Sequence, residues 1–111
     1  SWIQTMINTE VDAAGACFVH FVRAANSLYL QNDAGSIWLG PIPVGSGTLQ
    51  NSQCTLNGSG SSAVWSGTSV TLNVSVTFKP VFRGTKKVFV LGTDYGALHS
   101  GWQQMGVWTV P

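Results

Sequence analysis

Charge is what this sequence has least of. Only 8% of its 111 residues are charged, 5 Lys and Arg against 4 Asp and Glu, about a third of the usual share. A disordered tail would carry more charge and fewer aromatics, so that class is excluded. A net charge of +1 and a pI near 7.8 exclude a strongly basic nucleic-acid binder. Two cysteines are too few for a disulfide-dense mini-scaffold or a four-cysteine zinc site, and no Cys-x-x-Cys is present. No apolar run approaches the roughly 18 residues that a membrane helix requires. No basic start followed by an apolar stretch and a small-residue cleavage site is present, so no signal peptide is read.

What is there is apolar and aromatic. Hydrophobic residues make up 44% of the chain, with 5 Trp, 5 Phe, 2 Tyr and 13 Gly. That length suits one domain, residues 1–111. The chain opens at Ser1-Trp2-Ile3-Gln4 without Met and stops at Trp108-Thr109-Val110-Pro111. Both ends read as boundaries of a module excised from a larger protein.

The periodicity is that of strands. In Ser69 to Phe78, Val70, Leu72, Val74, Val76 and Phe78 fall on one face, with Thr71, Asn73, Ser75 and Thr77 on the other. Only a strand alternates side chains in this way, so one face is buried and the other wet. The same reading predicts strands over Trp2–Asn8, Cys17–Arg23, Ser27–Gln31, Ser36–Leu39, Gln53–Leu56, Lys87–Thr93 and Trp102–Thr109. In the second of these, Cys17, Val19 and Phe21 oppose Phe18, His20 and Val22. Turn residues cluster at 12–15, 32–35, 40–47 and 57–62, and Asn32-Asp33-Ala34-Gly35 carries a hairpin signal. No ten-residue stretch shows helical spacing with caps. Short strands at roughly 8- to 12-residue spacing imply an all-β, antiparallel Ig-like sandwich of about seven to eight strands.

Cys17 and Cys54 fit a structural disulfide, a redox pair or two free thiols. Abundant Ser, Thr, Asn and Gly with little Lys and Glu favour an exported protein, and with it one intradomain disulfide. Its loop closure would be worth on the order of 4 kcal/mol before strain is subtracted.

Several segments carry a resemblance: Leu28 to Gly35, Trp38-Leu39-Gly40-Pro41, Gly47 to Cys54, Thr77-Phe78-Lys79-Pro80 and Gly101-Trp102-Gln103-Gln104. Over nearly the whole chain the sequence resembles a repeat unit of large exported bacterial proteins, notably acidobacterial ones. The resemblance implies an Ig-like extracellular or cell-surface module attached to other domains, without an established activity. Members of that family usually carry a further strand upstream of Ser1, which this chain lacks. An edge left open would admit a strand-mediated homodimer.

Catalytic groups are scarce. Glu10 and Asp12 are close enough to share a cleft, but their turn-rich context reads as a solvated loop. No Gly-x-Ser-x-Gly elbow, phosphate loop or His-Glu-x-x-His helix occurs. No enzyme activity and no cofactor are expected. His20 reads as a hydrogen-bonded strand histidine and His99 as a solvated loop residue. Asp12, Asn32, Asp33 and Asp94 offer oxygens to calcium, yet their turn context reads as Asx side chains shaping loops, so no metal site is expected. Lys79, Arg83, Lys86 and Lys87 form a candidate anion-binding cluster. The plainer reading is solvated charge discouraging edge-to-edge association. The aromatics give a second functional reading. Trp65, Trp102, Tyr29 and Tyr95, with Gln103 and Gln104 as donors, are candidates for a carbohydrate platform, because flat rings stack on the C–H faces of sugars. The leading reading is a non-catalytic extracellular module acting as spacer, surface or adhesion unit, with no nucleic acid and no membrane insertion; the alternative is a carbohydrate-binding module.

Overall fold

A computed structural model describes residues 2–66, 69–93 and 103–110; for 65–66, 69–70, 92–93 and 103–110 it describes the backbone alone. Nine strands follow one another: β1 (Trp2–Asn8), β2 (Cys17–Val22), β3 (Ser27–Gln31), β4 (Trp38–Pro43), β5 (Thr48–Gln50), β6 (Cys54–Ser66), β7 (Ser69–Phe78), β8 (Gly84–Thr93) and β9 (Gln103–Val110). A single 3-10 turn, Pro80–Phe82, joins β7 to β8. Six strands form one antiparallel sheet in the order β4-β3-β2-β1-β8-β9, and three form another, β5-β6-β7.

The two sheets pack as a sandwich because each has one strongly apolar face. In the larger sheet the register places Ile7 opposite Cys17, Ile3 opposite Phe21, Val19 opposite Leu30 and Phe21 opposite Leu28. These residues form the inner face, against which Leu49 and Leu56 pack, with Leu72, Val74, Val76 and Phe78 of β7. The β7 alternation predicted from sequence is therefore the observed one over the described side chains. Thr71, Asn73 and Thr77 are exposed.

The expected antiparallel sandwich with one intradomain disulfide is the observed architecture, with nine strands among the described residues. Cys17 on β2 and Cys54 on β6 are bonded, with Cα atoms 5.8 Å apart and both residues 0% exposed. The bond ties the larger sheet to the smaller through the middle of the core.

Two stretches predicted as turns continue as strand. Residues 40–43 extend β4 despite Pro41 and Pro43, because β4 is an edge strand whose outer row needs no N–H donors. Residues 57–62 lie inside β6 at a bulge between Asn57 and Ser62. Their small residues reflect crowding: a Cβ at Gly58 would collide with the Ser46 carbonyl oxygen, and one at Gly60 would sit 2.9 Å from the Ser75 Cβ. Strand β5, three residues long, gave no sequence signal.

Strand β1 pairs on both sides, with β2 and with β8. A strand upstream of Ser1 would thus have no vacant place beside β1. Among the described residues the sheet edges are β4, β9, β5 and β7.

Candidate binding face on the six-stranded sheet

The pleat that sends Ile3, Ile7, Cys17, Val19 and Phe21 inward sends Trp2, Gln4, Met6, Phe18 and His20 outward. That outer face is also apolar at its base. Met6, Phe18 and Phe89 lie side by side and are buried, with Ala16 beneath the β1–β2 loop and Trp38 packed against them. The Phe18 and Trp38 rings meet edge to face, with centroids 4.9 Å apart.

Above this floor lies a row of half-buried rings. His20 stands at its centre, with ring centroids 5.5 Å from Trp2, 5.7 Å from Tyr29 and 5.2 Å from Trp38. Each comes from a different strand, β1 to β4, because Gln4 pairs with His20 and His20 with Tyr29 across the sheet. The Gln4 amide nitrogen lies 3.1 Å from His20 Nδ1. An amide NH₂ only donates, so Nδ1 accepts and the neutral imidazole carries its proton on Nε2. Burial among the rings holds the His20 pKa below its ordinary value, which keeps the ring neutral. His20 thus is the hydrogen-bonded strand histidine expected from sequence.

Of the residues predicted for a carbohydrate platform, Tyr29 falls in this row. Trp65, Gln103 and Gln104 lie in β6 and β9, where the backbone alone is described, and Trp102 and Tyr95 lie outside the described residues, as do Asp94 and His99. Sequence reasoning missed Trp2, Gln4 and Trp38 as partners of Tyr29. One signal pointed there: both faces of β2 are apolar or aromatic, as expected of a strand covered on two sides.

The basic cluster is divided. Lys79 Nζ donates to Gln50 Oε1 at 2.9 Å. Lys86 Nζ donates to the Arg83 carbonyl at 3.1 Å and sits 4.7 Å above the Phe82 ring, which stacks on Phe78. These lysines close the end of the core around the 3-10 turn. Lys87 follows Lys86 in β8 and so faces the opposite side of the sheet.

The acidic turns are structural. Asp12 Oδ1 accepts from Ala14 N at 3.0 Å, and Asn32 Oδ1 from Ser36 N and Ile37 N at 2.9 and 3.2 Å. Asp33 accepts from the Ser52 hydroxyl at 2.6 Å and the Ser52 amide at 2.7 Å, bonds that lower its pKa. Glu10 is exposed in the β1–β2 loop. Among the described residues no three His, Cys, Asp or Glu gather to hold a metal, and no helix is long and apolar enough to cross a membrane.

Between the sheets, beside the disulfide, lies a cavity of about 300 Å³ lined by Ile7, Val19, Val74, Val76 and Val88, with Thr5, Cys17 and Ser75. Its wall is almost wholly aliphatic and carries no acid, base or histidine. No protein-family model, curated protein or solved structure matches the chain, so the resemblance to exported bacterial repeat modules stands on its sequence segments.

Proposed function

We propose that this chain is a non-catalytic module of an extracellular or cell-surface protein, serving as a spacer or adhesion unit among other domains. The observation that carries the reading is the buried Cys17–Cys54 bond. A small domain that joins its two sheets by a disulfide suits an oxidising compartment, where such bonds form and persist. The low charge of the surface supports a structural rather than an electrostatic role, and the resemblance to exported repeat modules agrees with it. The sheet edges at β4, β5, β7 and β9 offer places for a neighbouring domain or a second copy to pair.

The test is the redox state of the native protein. Alkylation and mass spectrometry after export to an oxidising compartment are expected to find both thiols blocked, with an unfolding midpoint that drops on reduction. Free thiols in the exported protein, or a Cys17→Ala, Cys54→Ala double variant as stable as wild type, would overturn the reading. So would turnover of a hydrolase substrate that co-purifies with the folded chain through every step.

A further inference from the structure

We propose that the outer face of the six-stranded sheet, at Trp2, Gln4, His20, Tyr29 and Trp38, binds single chains of a neutral polysaccharide. The proposal is independent of the module's compartment, so the redox test above can fail without touching it.

Three features of the face select this ligand. The first is the row of rings: Trp2, His20, Tyr29 and Trp38 come from adjacent strands, with centroid steps of 5.2 to 5.7 Å around His20. They remain part-exposed above a buried floor of Met6, Phe18 and Phe89 that fixes their positions. A sugar ring offers an apolar C–H face to an aromatic ring and a rim of hydroxyls to nearby donors and acceptors.

The second is polarity without charge. The outer positions of β1, β2 and β3 are Trp2, Gln4, Met6, Asn8, Phe18, His20, Val22, Ser27, Tyr29 and Gln31. None is an acid or a permanent cation; the same face of β8 carries one, Lys87, opposite Asn8 and two outward positions along β1 from Gln4, so the rings themselves stand in an uncharged setting. It does carry hydrogen-bonding groups: the Gln4 amide, the His20 Nε2–H and the Tyr29 hydroxyl. Protein interfaces are also rich in Trp, Tyr and Met, so it is the hydrogen-bonding groups set among the rings, with no open aliphatic side chain beside them among the described residues, that favour a glycan. The most exposed aliphatic side chains among the described residues are Val81 and Ile37 at 78% and 60%, on the 3-10 turn and the β3–β4 loop.

The third is tilt. Trp2, Tyr29 and Trp38 are inclined to the His20 ring by 47°, 55° and 36°. A flat crystalline surface needs coplanar rings. Rings tilted about a central one share no common plane and offer their separate faces to a single flexible chain.

Native affinity electrophoresis tests the assignment, with gels containing hydroxyethylcellulose, mixed-linkage β-glucan, galactomannan or arabinoxylan, and polygalacturonate as the acidic control. At least one neutral polymer is expected to retard the wild-type protein. Tyr29→Ala and Trp38→Ala are each expected to weaken that association about tenfold or more, and Lys79→Ala to leave it unchanged. Because Trp38 packs on Phe18, Trp38→Ala risks the fold. The wild-type protein is therefore titrated with the retarding glycan by ¹H–¹⁵N NMR, where shifts at residues 2, 4, 20, 29 and 38 are expected. Four outcomes overturn the proposal: no retardation by any neutral polymer, retardation by polygalacturonate alone, binding unaffected by Tyr29→Ala, or shifts confined to other residues. A concentration-dependent dimer that Tyr29→Ala abolishes, with no effect of glycan, would reassign the face to a second copy of the chain.

Discussion

Asn51 uses its whole side-chain amide to join the two sheets at one end of the sandwich. Its Nδ2 donates to the carbonyls of Ala16 and Gln31 at 3.1 and 2.9 Å, and its Oδ1 accepts from Gln53 N and Cys54 N, both at 2.9 Å. The residue is 8% exposed, so water cannot replace these bonds easily. Asn51→Ala would leave four backbone groups unpartnered and is expected to cost about 3 kcal/mol in urea unfolding. His20 gives a second prediction, in pH. Its folded pKa lies below the ordinary 6.5 because burial disfavours the imidazolium. The unfolded chain therefore binds a proton that the folded chain refuses in the window below 6.5. The His20 contribution is complete above that value and is lost as pH falls through the folded pKa. Asp33, with its pKa lowered from 3.8 by Ser52, acts only in a more acidic window. Thermal midpoints between about pH 7.5 and about pH 5 should fall for wild type and flatten for His20→Gln; parallel slopes would contradict the assignment. The strand position and hydrogen bond of His20 were legible in the sequence; the role of Asn51 was not. Asn51 sits in a turn-like Gln50-Asn51-Ser52-Gln53 stretch, and nothing local shows that its partners lie 35 and 20 residues away.

Strands with a clean two-residue period were legible to the residue: β1, β3 and β7 have the predicted bounds. Those that broke the rule were not, because the deciding forces are tertiary. The prolines of β4 signal a turn unless the strand is known to be an edge. The Gly and Ser residues of β6 signal a loop unless the approach of Ser46 and Ser75 is known. The β6 bulge shows how such a strand is held. Ser61 Oγ donates to the Asn57 carbonyl at 2.7 Å and accepts from Ser75 N at 3.1 Å, replacing the ladder bonds that the bulge interrupts. Ser61 is 6% exposed, so Ser61→Ala leaves the Ser75 amide without its partner. The expected loss is about 1–3 kcal/mol, with faster hydrogen exchange at Ser75 than elsewhere in β7. Unchanged exchange at Ser75 would show that the backbone, not the hydroxyl, holds the bulge. The candidate binding face failed to emerge from sequence for a related reason: Tyr29 and Trp38 share a face with His20 and Trp2 only once the order β4-β3-β2-β1 is known.

At the scale of the whole molecule, the chain crosses between sheets after β4 and again after β7, and the disulfide adds a covalent crossing between β2 and β6. A spacer under tension would feel that bond directly. Pulling on the chain ends can extend only the residues outside the closed loop, because Cys17 and Cys54, separated by 37 positions, stay together. At about 3.6 Å per extended residue, the loop withholds roughly 130 Å of contour length. Single-molecule unfolding of the oxidised protein should therefore release roughly 130 Å less chain than the reduced protein. Reduction should also remove on the order of 4 kcal/mol of equilibrium stability, the loop-closure entropy returned to the unfolded state. The two readouts separate a mechanical from a merely thermodynamic role. If the reduced protein unfolds at the same force as the oxidised one and differs only in released length, the bond limits extension without bracing the fold. If the force falls as well, the bond carries load while the sheets are still packed, and the module is built to resist being pulled.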